Sequence, residues 1–296
     1  MRHLVGIPEL SAPELSAILE RTSEIAKGAI FSFPGAVALA FYEPSTRTEM
    51  SFLRACQLVG AVPLRLLPER ASVQKGEGPE ETLKTLLAIG AQVLVIRTPE
   101  PLLPHRLSHL GLSVVNAGDG AHQHPTQALA DAVALSRALG ELGGRRMLVV
   151  GDHLHSRVSR STVALSVRLG MTVELAGPPD LLPEGFAEML GATRSQDFEA
   201  SLAQADVLMA LRIQMERLGS VGAGDLAAYR REWGVTAERY QRLGAQPWLM
   251  HPGPANLGVE IDPELVDLPR SLIRRQVTAG VQVRAAVLSL IGEALS

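Results

Sequence analysis

Four consecutive residues, Ser45, Thr46, Arg47 and Thr48, combine three hydroxyls with a guanidinium at the predicted start of a helix. They follow the apolar segment AVALAFYE and open an amphipathic run. Helix N-termini attract anions, because their first N–H groups lack partners and the helix dipole is positive there. Arginine adds a forked donor that fits phosphate oxygens. The pattern predicts a cradle for a phosphate or similar oxyanion, although a simple N-cap at Ser45 or Thr46 explains it equally well.

Two His-x-His pairs, His122/His124 and His153/His155, form a second group with chemical potential. Side chains two residues apart on a strand face the same way, so each pair has a spacing that suits metal ligands. His124, however, directly precedes the Pro-Thr-Gln start of a predicted helix. An imidazole there can donate to a substrate oxygen without any metal. Metal ligation and donation to a substrate oxygen both stay open at this point. Of the two, we expect a site without a metal.

Lysine is rare in this chain, since only Lys27, Lys75 and Lys84 occur among 28 basic residues. Lys75 lies in the glycine-flanked segment SVQKGEG, which fits a solvated loop or a mobile lid that carries an ammonium to an anionic ligand. In LRIQMER, Arg212 and Glu216 have the spacing of a helical ion pair. The glutamate could equally aim the arginine at a substrate carboxylate.

The elements that must position these residues alternate along the chain. Continuous apolar runs, each followed by a helical pattern, predict parallel sheets covered on both faces. The predicted strands are AVALAFYE, AVPLRLL, AQVLVIRT and LSVVNAGDG in the first half, and RRMLVVGD, MTVELAGPP, ADVLMALRI and PWLMHPGP in the second. Helices are predicted from a capping box at Ser11 to about Ala26, from Thr46, from Pro79, near 100–110, from Pro125 to about Leu139, and from about Pro269 to Ala294.

This alternation predicts an α/β protein with two doubly wound parallel-sheet domains joined by helices. We assign 1–134 plus about 279–296 to the first domain and 135–278 to the second, so that the C-terminal helix returns to the first domain. Ligands of such sheets bind at the carboxyl ends of the strands. Six strands are followed there by polar segments with arginine, histidine or acidic residues. Because function concentrates on loops held by a scaffold, these segments are the candidate site.

Composition excludes several classes of function. The chain of 296 residues is 46% apolar and 20% charged, as in soluble globular proteins, and its net charge of -3 gives no general attraction to nucleic acid or anionic membranes. The single cysteine, Cys56, cannot form an internal disulfide, fits a reducing cytosol, and is expected to pack in a helix. We find no signal peptide pattern and no apolar run of membrane-spanning length, and expect a cytoplasmic protein.

Six segments in a fixed order resemble the catalytic chain of aspartate carbamoyltransferase: FYEPSTRT, SVQKGE, NAGDGAHQHPTQALAD, GDHLHSRVSRS, LRIQMER and HPGPANLGVEI. The resemblance covers the chain from about residue 41 to the C-terminal helix. The related ornithine enzymes usually carry HPCQ and HCLP signatures, where this chain has HPTQ and HPGP. The resemblance is therefore to the aspartate branch of the family.

The resemblance implies carbamoyl transfer from carbamoyl phosphate to L-aspartate in pyrimidine biosynthesis, with no cofactor and no metal. It implies three catalytic residues around the carbonyl oxygen: Thr48, Arg97 and His124. Its implied carbamoyl phosphate ligands are Ser45, Thr46, Arg47, Thr48, Arg97, His124, Gln127, Gly253 and Pro254. Those for aspartate are Lys75, Arg157, Arg212 and Gln214. It also places Arg284 near the phosphate side, and Glu43 as a partner for arginines when the domains close.

The resemblance further implies a homotrimer in which Lys75 reaches the active site of a neighbouring subunit. A dihydroorotase or a regulatory chain as a further partner is left open. Ala71, Gly78 and Leu257 depart from the usual family residues and put loop geometry and affinity in doubt. Three alternatives stay open: an ornithine-type or other amine carbamoyltransferase, a metal-dependent hydrolase built on the His-x-His pairs, and a non-catalytic paralogue.

Overall fold

The structure, a computed structural model, describes residues 1–67, 77–214 and 223–296. Lys75, Ala71 and Glu216 lie outside these ranges, so their predicted roles are not addressed by it. The chain divides into two compact units: Met1–Ala130 with Val277–Ser296, and Asp131–Gln276. Each unit contains one parallel sheet, which confirms the predicted fold class.

Helices and strands alternate through most of the chain. The helices are α1 (Ala12–Ala26), α2 (Thr46–Val59), α3 (Pro79–Ala88), α4 (Leu103–Leu107), α5 (Pro125–Leu139), α6 (Arg157–Arg168), α7 (Phe186–Met189), α8 (Phe198–Gln204), α9 (Ala223–Trp233), α10 (Ala237–Gln241) and α11 (Ile273–Leu295). The strands are β1 (Ala36–Phe41), β2 (Val62–Leu66), β3 (Ala91–Thr98), β4 (Ser113–Asp119), β5 (Arg146–Val150), β6 (Thr172–Ala176), β7 (Thr193–Arg194), β8 (Val207–Ala210) and β9 (Trp248–Met250). Short 3₁₀ turns occur at Pro179–Leu181 and Pro263–Leu265.

The sheet of the first unit has the strand order β2-β1-β3-β4, with all neighbours parallel. Strand β1 lies inside the sheet, and its interior residues are fully buried, as the continuous apolar run predicts. The chain moves to one side of β1 for β2 and to the other side for β3. The carboxyl ends of β1 and β3 are therefore a topological switch point, where open α/β sheets bind ligands.

Helix α2 links this switch point to the core of the first unit. It begins directly after the β1 turn and ends at Gly60, whose positive φ of 73° suits glycine. Its inner face buries Phe52 and Cys56. Burial raises the pKa of the Cys56 thiol to about 11, so the thiolate is disfavoured and the side chain packs as a small apolar group. The predicted packing role of Cys56 is confirmed.

The sheet of the second unit has the order β7-β6-β5-β8-β9, again with parallel neighbours. Alternate residues of its strands enter two separate hydrophobic clusters: Met147 and Val149 of β5 lie in one, Leu148 and Val150 in the other. Both faces of the sheet are thus covered, which explains why its strands read as continuous apolar runs. The switch point of this sheet lies between β5 and β8.

The C-terminal helix begins later than expected. It was predicted from about Pro269, but α11 begins at Ile273. The reason is tertiary, because the preceding segment runs beside β9: Leu249 N donates to Arg270 O at 2.8 Å, and Leu272 N donates to Leu249 O at 2.8 Å. By length and composition α11 is the one helix in the described residues that would suffice to cross a membrane. Much of it is buried, including Val283 and Leu288, as in a core helix.

Candidate functional site

The ends of β1 and β3 are held side by side in the first unit. Phe41 and Arg97 are register partners, and Tyr42 N donates to Arg97 O at 2.8 Å. The Ser-Thr-Arg-Thr segment follows β1 immediately, so the sheet positions it next to the strand that ends at Arg97. The strand order therefore brings the predicted oxyanion cradle and Arg97 to one edge of the sheet, as the alternating pattern predicts.

The hydroxyls of the cradle are not used for helix capping. Ser45 occupies the N-cap position of α2, but within the described chain its side chain accepts no hydrogen bond from the helix. Thr46 and Arg47 are exposed in the first turn, and Thr48 is buried with its carbonyl accepting from Ser51 Oγ at 2.7 Å. The N-cap explanation is therefore insufficient. Three hydroxyls and a guanidinium therefore lie in the N-cap and first turn of α2, and such a helix N-terminus can bind an anion.

Arg97 is held between two elements of the same unit. Its Nε lies 3.5 Å from Glu43 Oε2, and its guanidinium donates to Ala117 O at 3.5 Å. Both charged side chains are largely buried, with 14% exposure for Arg97 and 18% for Glu43. One partner of Glu43 in the structure is thus an arginine of its own unit. These contacts orient the Arg97 guanidinium, a charged hydrogen-bond donor, at the switch point.

The turn after β4 is organised by the fully buried carboxylate of Asp119. Asp119 Oδ1 accepts from Asn116 Nδ2 at 2.8 Å and from Gln123 N at 2.9 Å, and Oδ2 accepts from Leu102 N at 2.8 Å. Burial raises the pKa of this carboxyl, but the hydrogen bonds from His122, Asn116 and Leu102 outweigh it and lower the pKa. An ionised hub therefore shapes the turn that leads to α5.

His124 and Gln127 stand at the start of α5, beyond this hub. His124 is buried, and its carbonyl accepts from Gln127 N at 3.0 Å, which closes the first turn. Arg284 of α11 is also buried, with its guanidinium carbon 5.2 Å from the ring centroid of Phe52 in α2. The predicted residues of the first unit therefore belong to the strand ends and helix starts around one sheet edge, or to a helix packed on α2.

The second unit has a corresponding arrangement around β5 and β8. Leu211 N donates to Val150 O at 2.8 Å, so the segments after both strands run together. Between them lies the fully buried Asp152, which accepts from His155 N at 3.0 Å and from Gln214 N at 3.4 Å. Gln214 Nε2 in turn donates to His155 O at 2.8 Å. These bonds cross-link the two segments that carry the predicted aspartate ligands.

The two predicted arginines of this unit lie in those segments. Arg157 is the first residue of α6, whose N-cap Ser156 accepts from Ser159 N at 3.1 Å. Arg212 lies in the non-helical stretch Leu211–Gln214 that follows β8. Arg212 is therefore not in a helix. The spacing argument had placed Arg212 and Glu216 one helical turn apart, and Glu216 lies outside the described residues. The structure brings Arg157, Arg212 and Gln214 to one edge of the second sheet.

A second buried carboxylate joins the segment after β9 to this edge. Glu260 accepts from Ile213 N at 2.8 Å and from Asn256 N at 2.6 Å, and Asn256 Nδ2 donates to Ile213 O at 3.1 Å. The loop between the end of β9 and Asn256 contains Gly253, which has a positive φ of 62°, and Pro254. Gly253 N donates to His251 Nδ1 at 2.8 Å. The backbone of this loop is thus fixed beside Arg212.

Sequence reasoning gave no role to Asp119, Asp152 or Glu260, although all three lie in the recognised segments. The available signal was a carboxylate directly after an apolar strand or within a glycine-rich turn. The two His-x-His pairs also behave differently from metal ligands of one site. His153 is fully buried, with Nδ1 2.8 Å from Ser159 Oγ and Nε2 3.0 Å from Ala176 O, whereas His155 contacts Asp152. In the described chain neither pair joins one metal-binding group.

Two parallel α/β units, each with arginines and polar turns at the switch point of its sheet, define a two-domain α/β protein built to bind anionic small molecules. The first half, residues 2–137, matches the family model of the aspartate/ornithine carbamoyltransferase carbamoyl-P binding domain. Residues 143–291 match that of the aspartate/ornithine carbamoyltransferase Asp/Orn binding domain. The chain belongs to the aspartate/ornithine carbamoyltransferase family.

The curated relatives reported below belong to the aspartate branch of the family. The chain is 43% identical over 301 residues to the aspartate carbamoyltransferase catalytic subunit of Salinispora arenicola, covering 98% of each chain. It is 40% identical over 301 residues to that of Myxococcus xanthus, covering 98% of this chain and 99% of the relative. Both relatives carry the aspartate name, in agreement with the HPTQ and HPGP motifs.

Solved structures give the same result for the fold. Aspartate transcarbamoylase from Trypanosoma cruzi in complex with N-(phosphonacetyl)-L-aspartic acid has a TM-score of 0.87 and 27% identity, with 97% of this chain and 95% of that chain covered. The catalytic subunit of M. Jannaschii aspartate transcarbamoylase has a TM-score of 0.85 and 28% identity, with 99% of both chains covered. The resemblance found in the sequence is thereby confirmed over nearly the full chain.

Proposed function

We propose that this chain transfers the carbamoyl group of carbamoyl phosphate to the α-amine of L-aspartate. The products are N-carbamoyl-L-aspartate and phosphate, and the step belongs early in pyrimidine biosynthesis. The observation that carries the proposal is the cradle after β1, where Ser45 is at the N-cap without capping and Arg47 and Thr48 follow in the first turn. This cradle suits a phosphate, and relatives named aspartate carbamoyltransferase catalytic subunit align with 98% of the chain.

The first unit is assigned carbamoyl phosphate. Ser45, Thr46, Arg47 and Thr48 would hold the phosphate through hydroxyls, helix N–H groups and a guanidinium. Trypanosoma cruzi aspartate transcarbamoylase has been solved in complex with carbamoyl phosphate, which supports this ligand for the fold. The same segment lies beside the end of β3, so its ligand would meet Arg97 there.

Thr48, Arg97 and His124 are the proposed oxyanion donors. When the amine attacks, the carbamoyl oxygen gains negative charge, and donors fixed in advance stabilise that charge without reorganising. Arg97 is fixed by Glu43 and by Ala117 O, and His124 by the turn around Asp119. The carbamoyl NH2 group is proposed to bind Gln127 and the backbone carbonyls of Gly253 and Pro254.

The second unit is assigned L-aspartate. Arg157, Arg212 and Gln214 would bind its two carboxylates, since guanidinium groups form paired hydrogen bonds with them. The buried carboxylates Asp152 and Glu260 hold the backbone of the segments on which these side chains stand. Lys75 is proposed as a further carboxylate ligand.

The chemistry needs no nucleophilic side chain. The lone pair of the aspartate amine forms the new C–N bond, the C–O bond to phosphate breaks, and the departing phosphate takes up the amine proton. The protein then supplies orientation and charge stabilisation. We further propose a cytoplasmic homotrimer in which Lys75 serves a neighbouring subunit.

Radiolabelled carbamoyl phosphate tests the proposal directly. Incubation with L-aspartate should yield carbamoyl-aspartate and phosphate in equal amounts. Release of phosphate without carbamoyl-aspartate would indicate a hydrolase, and the absence of both products would indicate a non-catalytic paralogue. An Arg47→Ala variant serves as the matched inactive control.

A further inference from the structure

A cluster of three side chains in the first unit includes none of the residues proposed to contact the substrates. His105 of α4 and two residues of the β4–α5 turn, Asp119 and His122, place their candidate ligand atoms within 4.8 Å of one another. It is the one group of this kind in residues 1–67, 77–214 and 223–296. The rings of His105 and His122 meet edge to face with centroids 5.6 Å apart.

His105 has the hydrogen-bond arrangement of a metal ligand. Its Nε2 lies 3.0 Å from Glu9 Oε1, and a carboxylate there holds the proton on Nε2. The other ring nitrogen, Nδ1, is then a lone-pair acceptor, and it is buried with no hydrogen-bond partner among the described residues. Ligating histidines characteristically donate their second ring nitrogen to a carboxylate in this way. A buried nitrogen without a partner also costs free energy that an ion would recover.

Asp119 and His122 supply the other two candidate ligands. Asp119 is fully buried, and its Oδ2 lies 2.9 Å from His122 Nδ1. Two ligands at about 2.0–2.1 Å from one tetrahedral zinc are separated by roughly 3.3 Å, so this distance is close to that of an occupied site. The ring of His122 is 30% exposed, which gives an ion a path from solvent.

The positions of these ligands are fixed by the backbone. Leu102 N, next to the start of α4, donates to Asp119 Oδ2, which ties the helix of His105 to the turn of Asp119. The elements that carry the ligands are therefore joined before any ion binds. A site with little reorganisation of its ligands binds more tightly.

We propose that His105, Asp119 and His122 bind one divalent ion of the zinc class, with Glu9 as the positioning partner of His105 and a water as the fourth ligand. Two imidazoles and one carboxylate are the donor set that zinc favours. Ligation through Nδ1 moves the single proton of the neutral His122 ring from Nδ1, where it faces Asp119 Oδ2, to Nε2, so the ring binds as a neutral imidazole. The ion would strengthen the β4–α5 turn and take no part in carbamoyl transfer.

Titration of the chelator-stripped full chain with Zn²⁺, followed by calorimetry, tests the site. The wild type and His109→Asn, a matched control at an exposed histidine nearby, should each bind one ion with equal affinity. His105→Asn and His122→Asn should bind more than about 100-fold more weakly, since even loss of a partner behind a ligand costs about 10–100-fold. Glu9→Gln should lose about tenfold.

Thermal unfolding gives a second readout. Zn²⁺ should raise the Tm of the wild type and of His109→Asn but not that of His105→Asn, whose fold is verified by circular dichroism without metal. Co²⁺ in place of Zn²⁺ should give the visible absorption of a tetrahedral site in the wild type. His105→Asn should not show this absorption. The absence of stoichiometric binding, or equal binding by His105→Asn, would overturn the proposal.

Discussion

Single residues with buried charge explain how the candidate site keeps its shape. Asp119, Asp152 and Glu260 are nearly or fully buried, and each accepts backbone N–H groups from turns that carry predicted ligands. The sequence shows that carboxylates are present but not all the N–H groups from which they accept, because some of these, such as Gln214 N and Ile213 N, come from segments that are distant in the chain. The placement of the candidate ligands at the carboxyl ends of strands was predictable, since the apolar runs mark where each strand ends.

His124 offers the clearest test of oxyanion stabilisation. Replacing His124 with Ala should lower kcat by about 10²–10³-fold, since loss of one oxyanion donor costs about 3 kcal/mol. Steady-state kinetics with both substrates at saturation measure the effect. His109→Ala, at an exposed position, should leave kcat unchanged. A near-normal kcat for the His124 variant would remove this residue from the mechanism.

His153 gives the second unit a defined response to acid. Burial lowers the pKa of this imidazole from 6.5 to about 4, so the folded state holds it neutral while the unfolded chain binds a proton below pH 6.5. The stability contributed by the neutral ring is complete above pH 6.5 and is lost as the pH falls toward 4. From pH 7 to pH 5 the loss should be about 2 kcal/mol.

Denaturant unfolding of the wild type and His153→Gln at several pH values measures the contribution of the neutral His153 ring to the free energy of unfolding. The difference in free energy of unfolding between the two proteins should shrink as the pH falls from 7 to 5. His109→Gln should keep the pH dependence of the wild type, because its side chain is exposed. Parallel curves for the wild type and His153→Gln would show that the ring is not held neutral.

At the scale of elements, the sequence predicted most boundaries from local signals. Helix α1 has the predicted capping box, in which Ser11 and Glu14 bond each other's backbone, and α5 begins and ends where Pro125 and Leu139 were expected. The start of α11 was missed, because Arg270–Leu272 bonds to β9 and not to the helix. Such pairing depends on the tertiary position of β9, which local patterns do not encode.

Two helix caps of the same type separate stability from ligand positioning. Ser156→Ala removes the side-chain cap of α6 and should cost about 1 kcal/mol of stability while raising the KM for aspartate, because Arg157 is the first residue of that helix. Ser11→Ala removes the cap of α1 and should cost a similar amount without changing this KM. Chemical unfolding and aspartate saturation curves measure the two effects. Equal KM values in both variants would contradict a link between the α6 cap and aspartate binding.

At the scale of the whole molecule, the proposed trimer predicts that active sites are shared. Lys75→Ala and Arg47→Ala subunits should each be inactive alone, yet mixed trimers should regain part of the wild-type activity, because some sites combine an intact Lys75 with an intact Arg47. Activity after controlled dissociation and reassembly of the two variants measures this. Mixed trimers verified by mass that recover no activity would place Lys75 in its own subunit's site.

The second unit is proposed to select an anionic amino acid. This selectivity rests on Arg157, Arg212 and Gln214 at the β5–β8 edge, and the curated relatives are named aspartate carbamoyltransferases. The most direct test compares kcat/KM for L-aspartate and L-ornithine as acceptors, with carbamoyl phosphate saturating. We predict that aspartate is preferred by at least about 10³-fold, since two carboxylates paired with arginines would be replaced by one and a cation. Equal rates, or a preference for ornithine, would contradict the account.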